Sequence, residues 1–252
     1  MRRPPPPAVS CFDGVQNQEE LGVDCGGVCL PCAGLPEQIR FDRASYVSGE
    51  RGAVDALFYL ENVNPQWGAR AIPYTLFLDD AQGQVIAQRQ GTTFLLPLER
   101  HPVIEQGIAV GDGEVIADTR VEIGETTWVE VAEYGIRDDE LVVLVPTFTQ
   151  LTSGPDFAEV RGIVRNDAPF SFDRVEIYVV VSNRGGEVLG ARATDMRTLR
   201  SGELREFRIA WRTPFPLTGG EPQLEIVAIT NIFEDDNFIR ETGMLEPFQE
   251  FE

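Results

Sequence analysis

From residue 33 onward, apolar residues recur at every second position in short runs, and Gly, Pro, Asn or Asp separate the runs. In "IPYTLFL", Ile72, Tyr74, Leu76 and Leu78 fall on one face. In "RVEIYVVV", Val175, Ile177, Val179 and Val181 do the same. "EFRIAWR" turns Phe207, Ile209 and Trp211 inward and leaves Arg208 and Arg212 outside. No long stretch carries a helical period with caps. The pattern predicts strands that bury one face and wet the other, as in sandwiches of antiparallel sheets.

The chain also repeats itself once. Gly83 and Gly186, Val85 and Val188, and Leu96 and Leu199 each lie 103 positions apart. A period that long describes a whole domain, not a solenoid unit. The boundary is expected in "YGIRDDE", Tyr134–Glu140, which gives one sandwich over residues 33–137 and a second over 138–252 with an acidic C-terminal tail. Copies of roughly 100 residues match the immunoglobulin-like size class, so the expected fold is all-β, with two tandem immunoglobulin-like antiparallel sandwiches. Trp67 and Phe170 share the 103-residue offset. Plugging the end of a sandwich is the commoner use of such a ring, and ligand contact by Trp67, Phe170 and Phe172 is the alternative.

Composition sharpens the picture at one point. Among 252 residues, 41 acids face 21 arginines and no lysine, a formal charge of −20. Such a surface repels nucleic acid and anionic lipid, so neither is expected as a partner. The longest apolar runs, "LVVLV" and "IYVVV", are strand-length and far short of a membrane span. The opening "MRRPPPPAVS", residues 1–10, reads as a stiff proline-rich spacer. Its arginines and prolines also suit the outer flank of a membrane anchor, which would then lie upstream of Met1. No glycine-flanked serine nucleophile, P-loop, dinucleotide fingerprint or HExxH zinc motif is present. The single histidine, His101, stands between Arg100 and Pro102 in an expected loop. No enzyme is expected.

The second copy carries a family resemblance. In "VRGIVRN…VEIYVVVSNRGGEVLG…LRSGELREFRI", Gly162, Asn166, Gly186, Gly202, Glu203 and Phe207 take the places of the FxLyD-type β-sandwich domain of bacterial envelope proteins. The chain departs from it at Ser182-Asn183, where an acidic residue commonly follows the long strand. The first copy is looser, with Pro97-Leu98-Glu99 at the Gly-Glu turn. The resemblance implies a sandwich and no catalytic activity.

All four cysteines fall in "CFDGVQNQEELGVDCGGVCLPC", residues 11–32. So short a segment builds no core, and crosslinks among Cys11, Cys25, Cys29 and Cys32 are the expected source of its order, with three pairings open. The alternatives are zinc on Cys25, Cys29 and Cys32, or redox work by "CLPC". The segment resembles the CxDGxxNxxExGVDCGGxCxxC motif of secreted and surface-anchored bacterial proteins, through Cys11, Asp13-Gly14, Asn17, Glu20, Gly22–Gly27, Cys29 and Cys32. That motif commonly follows a signal or anchor. Asp13, Asn17, Glu19, Glu20 and Asp24 are oxygen donors among glycines and could bind Ca²⁺, although capping of their own turns is the favoured reading, since calcium sites usually cluster their carboxylates more closely. A weaker cation candidate is Glu234, Asp235, Asp236 and Asn237.

The expectation is a non-enzymatic, exported surface protein, extracellular or in the cell envelope and membrane-anchored in full-length form. It would act as spacer, adhesion or binding module through loops and edge strands, with an extracellular protein or glycan as partner. The alternatives are a glycan-binding accessory module and a calcium-stiffened surface protein.

Overall fold

The computed structural model describes residues 11, 16, 20, 29, 34–42, 44–131, 140–217 and 220–239. They fall into two units, 1–37 and 38–252. In the first, Cys11 and Cys29 form a disulfide. Its partners in the opening motif, Cys25, Cys32, Asp13, Asn17, Glu19 and Asp24, lie outside the described residues. The second unit is antiparallel β-sheet throughout its regular elements, apart from two short 3-10 turns.

The first half of that unit contains β1 (Arg40–Phe41), β2 (Ser45–Ser48), β3 (Val54–Glu61), β4 (Trp67–Asp79), β5 (Val85–Leu95), β6 (Arg100–Ile108), β7 (Asp118–Ile123) and β8 (Thr127–Glu130). β1 and β2 follow one another along one edge of β3, and β6 pairs with its other edge. β7 and β8 likewise share one edge of β4, with β5 on the other. The second half repeats this plan with β9 (Leu141–Gln150), β10 (Ala158–Asn166), β11 (Ser171–Ser182), β12 (Val188–Leu199), β13 (Leu204–Trp211), β14 (Gln223–Ile229) and β15 (Phe238–Ile239). β9 and β13 flank β10, while β12 lies opposite β14 and β15 across β11. No sheet mixes strands from the two halves. The chain is therefore two tandem antiparallel β-sandwiches.

The alternating residues fill the cores. Ile72, Tyr74, Leu76 and Leu78 bury against Phe58, Leu60, Val103 and Val121 in the first sandwich. Val175, Ile177, Val179 and Val181 meet Val160, Phe207, Ile209 and Trp211 in the second. Gly162 is required there, because a Cβ would stand 2.7 Å from the Phe207 ring.

The repeat is also visible in side-chain chemistry. At the β4–β5 turn, Asp80 Oδ1 accepts the Gln82 and Gln84 N–H groups, and at the β11–β12 turn Asn183 Oδ1 accepts those of Gly185 and Glu187. An amide thus replaces the acid without loss: its carbonyl oxygen takes both N–H groups, and its Nδ2 donates to Glu187 Oε2 at 2.9 Å. Gly83 and Gly186 supply the positive φ that each turn needs, +74° and +81°.

One expectation fails instructively. The outer face of β11 is not wet along its whole length. Val180 is buried in a cluster with Leu57 and Ala191, which seats the outer face of the β3–β6 sheet on the outer face of the β11–β12 sheet. Four polar contacts reinforce this junction: Tyr59 to Glu225 (2.6 Å), Arg192 to Glu50 (2.8 Å), Gln106 to the Ala193 carbonyl (3.2 Å) and Thr213 to the Gly49 carbonyl (2.6 Å). The two sandwiches pack side by side.

Candidate functional site

Where the apolar lock ends, a cleft of about 430 Å³ opens between the sandwiches. The outer face of β11 makes one wall. Its outward residues run Arg174, Glu176, Tyr178, Val180, and the first three line the cleft while the fourth belongs to the lock. A strand's two-residue period puts them all on one face. Sequence reasoning assigned the inner face of this strand correctly and missed the outer one. The signal was present in "IYVVV", five consecutive apolar residues, because a strand with one wet face alternates.

The facing wall comes from β4, β5 and β6, with Tyr74, Thr92, Thr93 and Phe94 at its centre. The Tyr74 ring reaches the cleft across Gly91, where a Cβ would lie 2.2 Å from its hydroxyl. Both cleft tyrosines are committed donors: the Tyr74 hydroxyl donates a hydrogen bond to Glu105 and the Tyr178 hydroxyl to Glu176, each at 2.6 Å. Burial raises both phenol pKa values well above the usual range, and the neighbouring carboxylates push in the same direction. Glu176 is held in turn by Arg174 at 3.0 Å.

Arg70 enters this wall by a break in β4. Pairing with β5 passes from Ala69↔Leu95 to Ile72↔Thr93, and pairing with β8 from Ala69↔Trp128 to Ala71↔Thr127. The register therefore slips by one residue on both sides of Arg70, a bulge that re-aims its side chain. The corresponding stretch of β11 has none: Phe172↔Leu199 and Arg174↔Arg197 are in step. Arg70 is exposed and lines the cleft, with no hydrogen bond or ion pair among the described residues.

The turn after β14 closes one side, with Asn231, Glu234 and Asn237 on the lining. Phe233 docks it on the first sandwich, its ring lying where a Cβ on Gly68 would clash at 2.4 Å and edge-on to Phe94. This is the weaker cation candidate. Asn237 is buried and fully used: Oδ1 accepts the Arg174 N–H, and Nδ2 donates to Thr230 Oγ1 and the Asn231 carbonyl. Glu234 accepts from Asn231 Nδ2, while Asp235 and Asp236 point into solvent. Among the described residues, no group of three His, Cys, Asp or Glu side chains is placed to hold a metal.

The remaining candidates lie elsewhere. Glu20 is buried, with Oε1 3.2 Å from the Cys29 sulfur. Because Cys29 is bonded to Cys11, it is removed from the three-thiolate zinc set and from a Cys29–Cys32 redox pair. Phe172 is wholly buried in the core and is no ligand contact. Phe170 stands edge-on to Phe238 with 47% of its surface exposed, and Trp67 is half-buried at the start of β4. None of these three rings lines the cleft. His101, expected in a loop, lies fully buried in β6, stacked on Tyr178 at 5.9 Å. Pro102 beside it is tolerated because β6 is an edge strand.

No protein-family model matches the chain, and no curated protein does. Among solved structures it is similar to the transglutaminase of red sea bream, at 11% identity over 76% of this chain, with a TM-score of 0.24. This chain spans 28% of that structure's length. A superposition that loose carries no argument about activity.

Proposed function

We propose that this chain is a non-enzymatic, exported cell-surface protein whose paired sandwiches, of the FxLyD type, form one recognition module. The observation that carries this reading is the polar cleft between two sandwiches locked side by side. Side-by-side packing shortens the reach of a tandem pair, which favours recognition over spacing. Compact pockets of a few hundred Å³ at domain junctions are the usual place for a ligand. Non-enzymatic action is supported by the state of the groups in the cleft. Its two phenols are held protonated by burial first and by their carboxylate partners next, so neither serves as base or nucleophile near neutral pH. The one histidine is sealed under Phe94 and Tyr178.

Export is supported by the Cys11–Cys29 disulfide, since such bonds persist in oxidising compartments. Protease treatment of intact cells, followed by non-reducing mass analysis, tests it. The expected result is a chain that is cleaved from outside and carries the crosslink. A protected chain with reduced thiols would overturn the assignment. Within this reading the opening segment needs no bound cation. A melting temperature raised several degrees by calcium, but not by magnesium, would instead make the segment a cation site.

A further inference from the structure

The cleft also indicates what kind of ligand it takes, an argument that rests on the recognition reading above. Arg70 is the starting point. Of the two equivalent strands, only β4 breaks its register on both edges, and the residue at the break is an arginine. A bulge gives up ladder hydrogen bonds, and such features recur where a side chain must be re-aimed at a site. The side chain so delivered has no partner among the described residues, in a chain where acids outnumber arginines 41 to 21. Its planar fork suits a carboxylate.

The rest of the lining narrows the class. Glu176 and Glu234 share the cleft with Arg70 and Arg174. Two carboxylates against two guanidiniums disfavour a dianion such as a phosphate monoester, while a single negative charge is accommodated. Glu176 Oε2 accepts a hydrogen bond from the Tyr178 hydroxyl, Oε1 faces Arg174, and Glu234 Oε1 accepts one from Asn231 Nδ2. Their unused lone pairs are acceptors for hydroxyl groups. Thr92 adds a hydroxyl that both donates and accepts, Thr93 one that is shared with His101 Nε2 at 3.4 Å, and each tyrosine oxygen keeps an accepting lone pair. A ligand that matches carries one carboxylate and several hydroxyls within a compact body. An extended peptide has too few hydroxyls for this wall.

We infer that the inter-sandwich cleft binds an acidic sugar, with Arg70 as the carboxylate contact and Glu176 and Glu234 as acceptors for its hydroxyls. The test is calorimetric titration of the full chain with a glucuronate-terminated disaccharide, its glucose-terminated counterpart and a Glu-Glu dipeptide. The uronate is expected to bind roughly tenfold or more tightly than the neutral sugar, as loss of one charge-assisted pair requires. Arg70→Gln should abolish that preference without moving the melting temperature, because Arg70 is exposed and has no partner among the described residues. Thr92→Tyr, which fills the cleft from an exposed position, should block both sugars.

Equal binding of the two sugars, or a preference that survives Arg70→Gln, overturns the inference. Binding of the dipeptide in place of the sugars overturns the ligand class. If no probe binds while the chain is still retained on isolated cell-envelope fragments, the inference fails and the recognition reading stands. If retention is absent too, both fail.

Discussion

Two asparagines hold the sandwiches' ends in the same way. Asn62 Nδ2 donates to the Trp67 and Leu96 carbonyls, and Asn166 Nδ2 to those of Phe170 and Leu199. Each Oδ1 accepts the backbone N–H two residues on, at Asn64 and Ala168. Both asparagines are fully buried, so truncation strands several backbone groups at once. Asn166→Ala is expected to cost about 3 kcal/mol, in the upper tail for a single substitution, and urea unfolding measures it. The turn beside each asparagine shows where the copies differ. Gly202 and Leu98 occupy the same position, with φ of +72° and +58°. Leucine in the left-handed region costs about 1 kcal/mol, and Leu98 is 63% exposed, so it gains little in return. Leu98→Gly should raise the urea midpoint by up to about 1 kcal/mol equivalent at unchanged slope, and Gly202→Leu should lower it by about 1–2 kcal/mol. Gly202-Glu203 was legible as a turn because glycine announces a positive φ. Pro97-Leu98-Glu99 was not, because leucine hides it.

At the scale of strands, alternation revealed the inner faces, since burial against a core imposes the two-residue period on Val175–Val181 and Ile72–Leu78 directly. It did not reveal the bulge at Arg70, which leaves no compositional trace, and it marked the covered outer face of β11 only as lost alternation over Ile177–Val181, without the partner, which is remote in sequence. A charged ladder across β10 and β13 was equally hidden. Arg161 and Arg208 are directly opposite one another, a like-charge pair that is unfavourable by itself. Glu159 bridges them at 2.7 and 2.6 Å, and Asp156 continues the ladder from Arg208. The Arg161 hydrogen bond, then that of Arg208, holds the Glu159 carboxyl below the usual carboxylate range. A depressed folded-state pKa contributes stability above the unfolded value, about 4.3, that is lost as pH falls through the folded one. Glu159→Gln should therefore lower the urea midpoint at neutral pH, and the gap from wild type should close below about pH 4. A gap that persists at low pH would mean packing, not charge, is what Glu159 supplies.

For the whole molecule, the junction makes two domains behave as one. Leu57, Val180 and Ala191 supply its apolar centre, and Tyr59, Tyr74 and Tyr178 lie around it. All three phenols are raised in the folded chain, first by burial and next by a carboxylate: Glu225 for Tyr59, Glu105 for Tyr74 and Glu176 for Tyr178. A raised folded-state pKa contributes stability in full below the unfolded value, about 10, and that stability is lost as pH climbs past it. Alkali should therefore act on the junction. Tyrosinate absorbance, near-ultraviolet dichroism and the scattering radius should change in one step above about pH 10, because ionising Tyr178 requires the sandwiches to part. Tyr178→Phe separates this from general alkaline unfolding. It removes the bond to Glu176 and should cost about 1 kcal/mol at pH 7. It also removes the ionisation, so its disadvantage should shrink as pH rises through 10. If wild type and variant lose stability in parallel there, the junction is not the alkaline-sensitive element, and the lock rests on its apolar contacts, Leu57 with Val180 and Ala191, and Phe94 and Leu96 with Ile229 and Phe233.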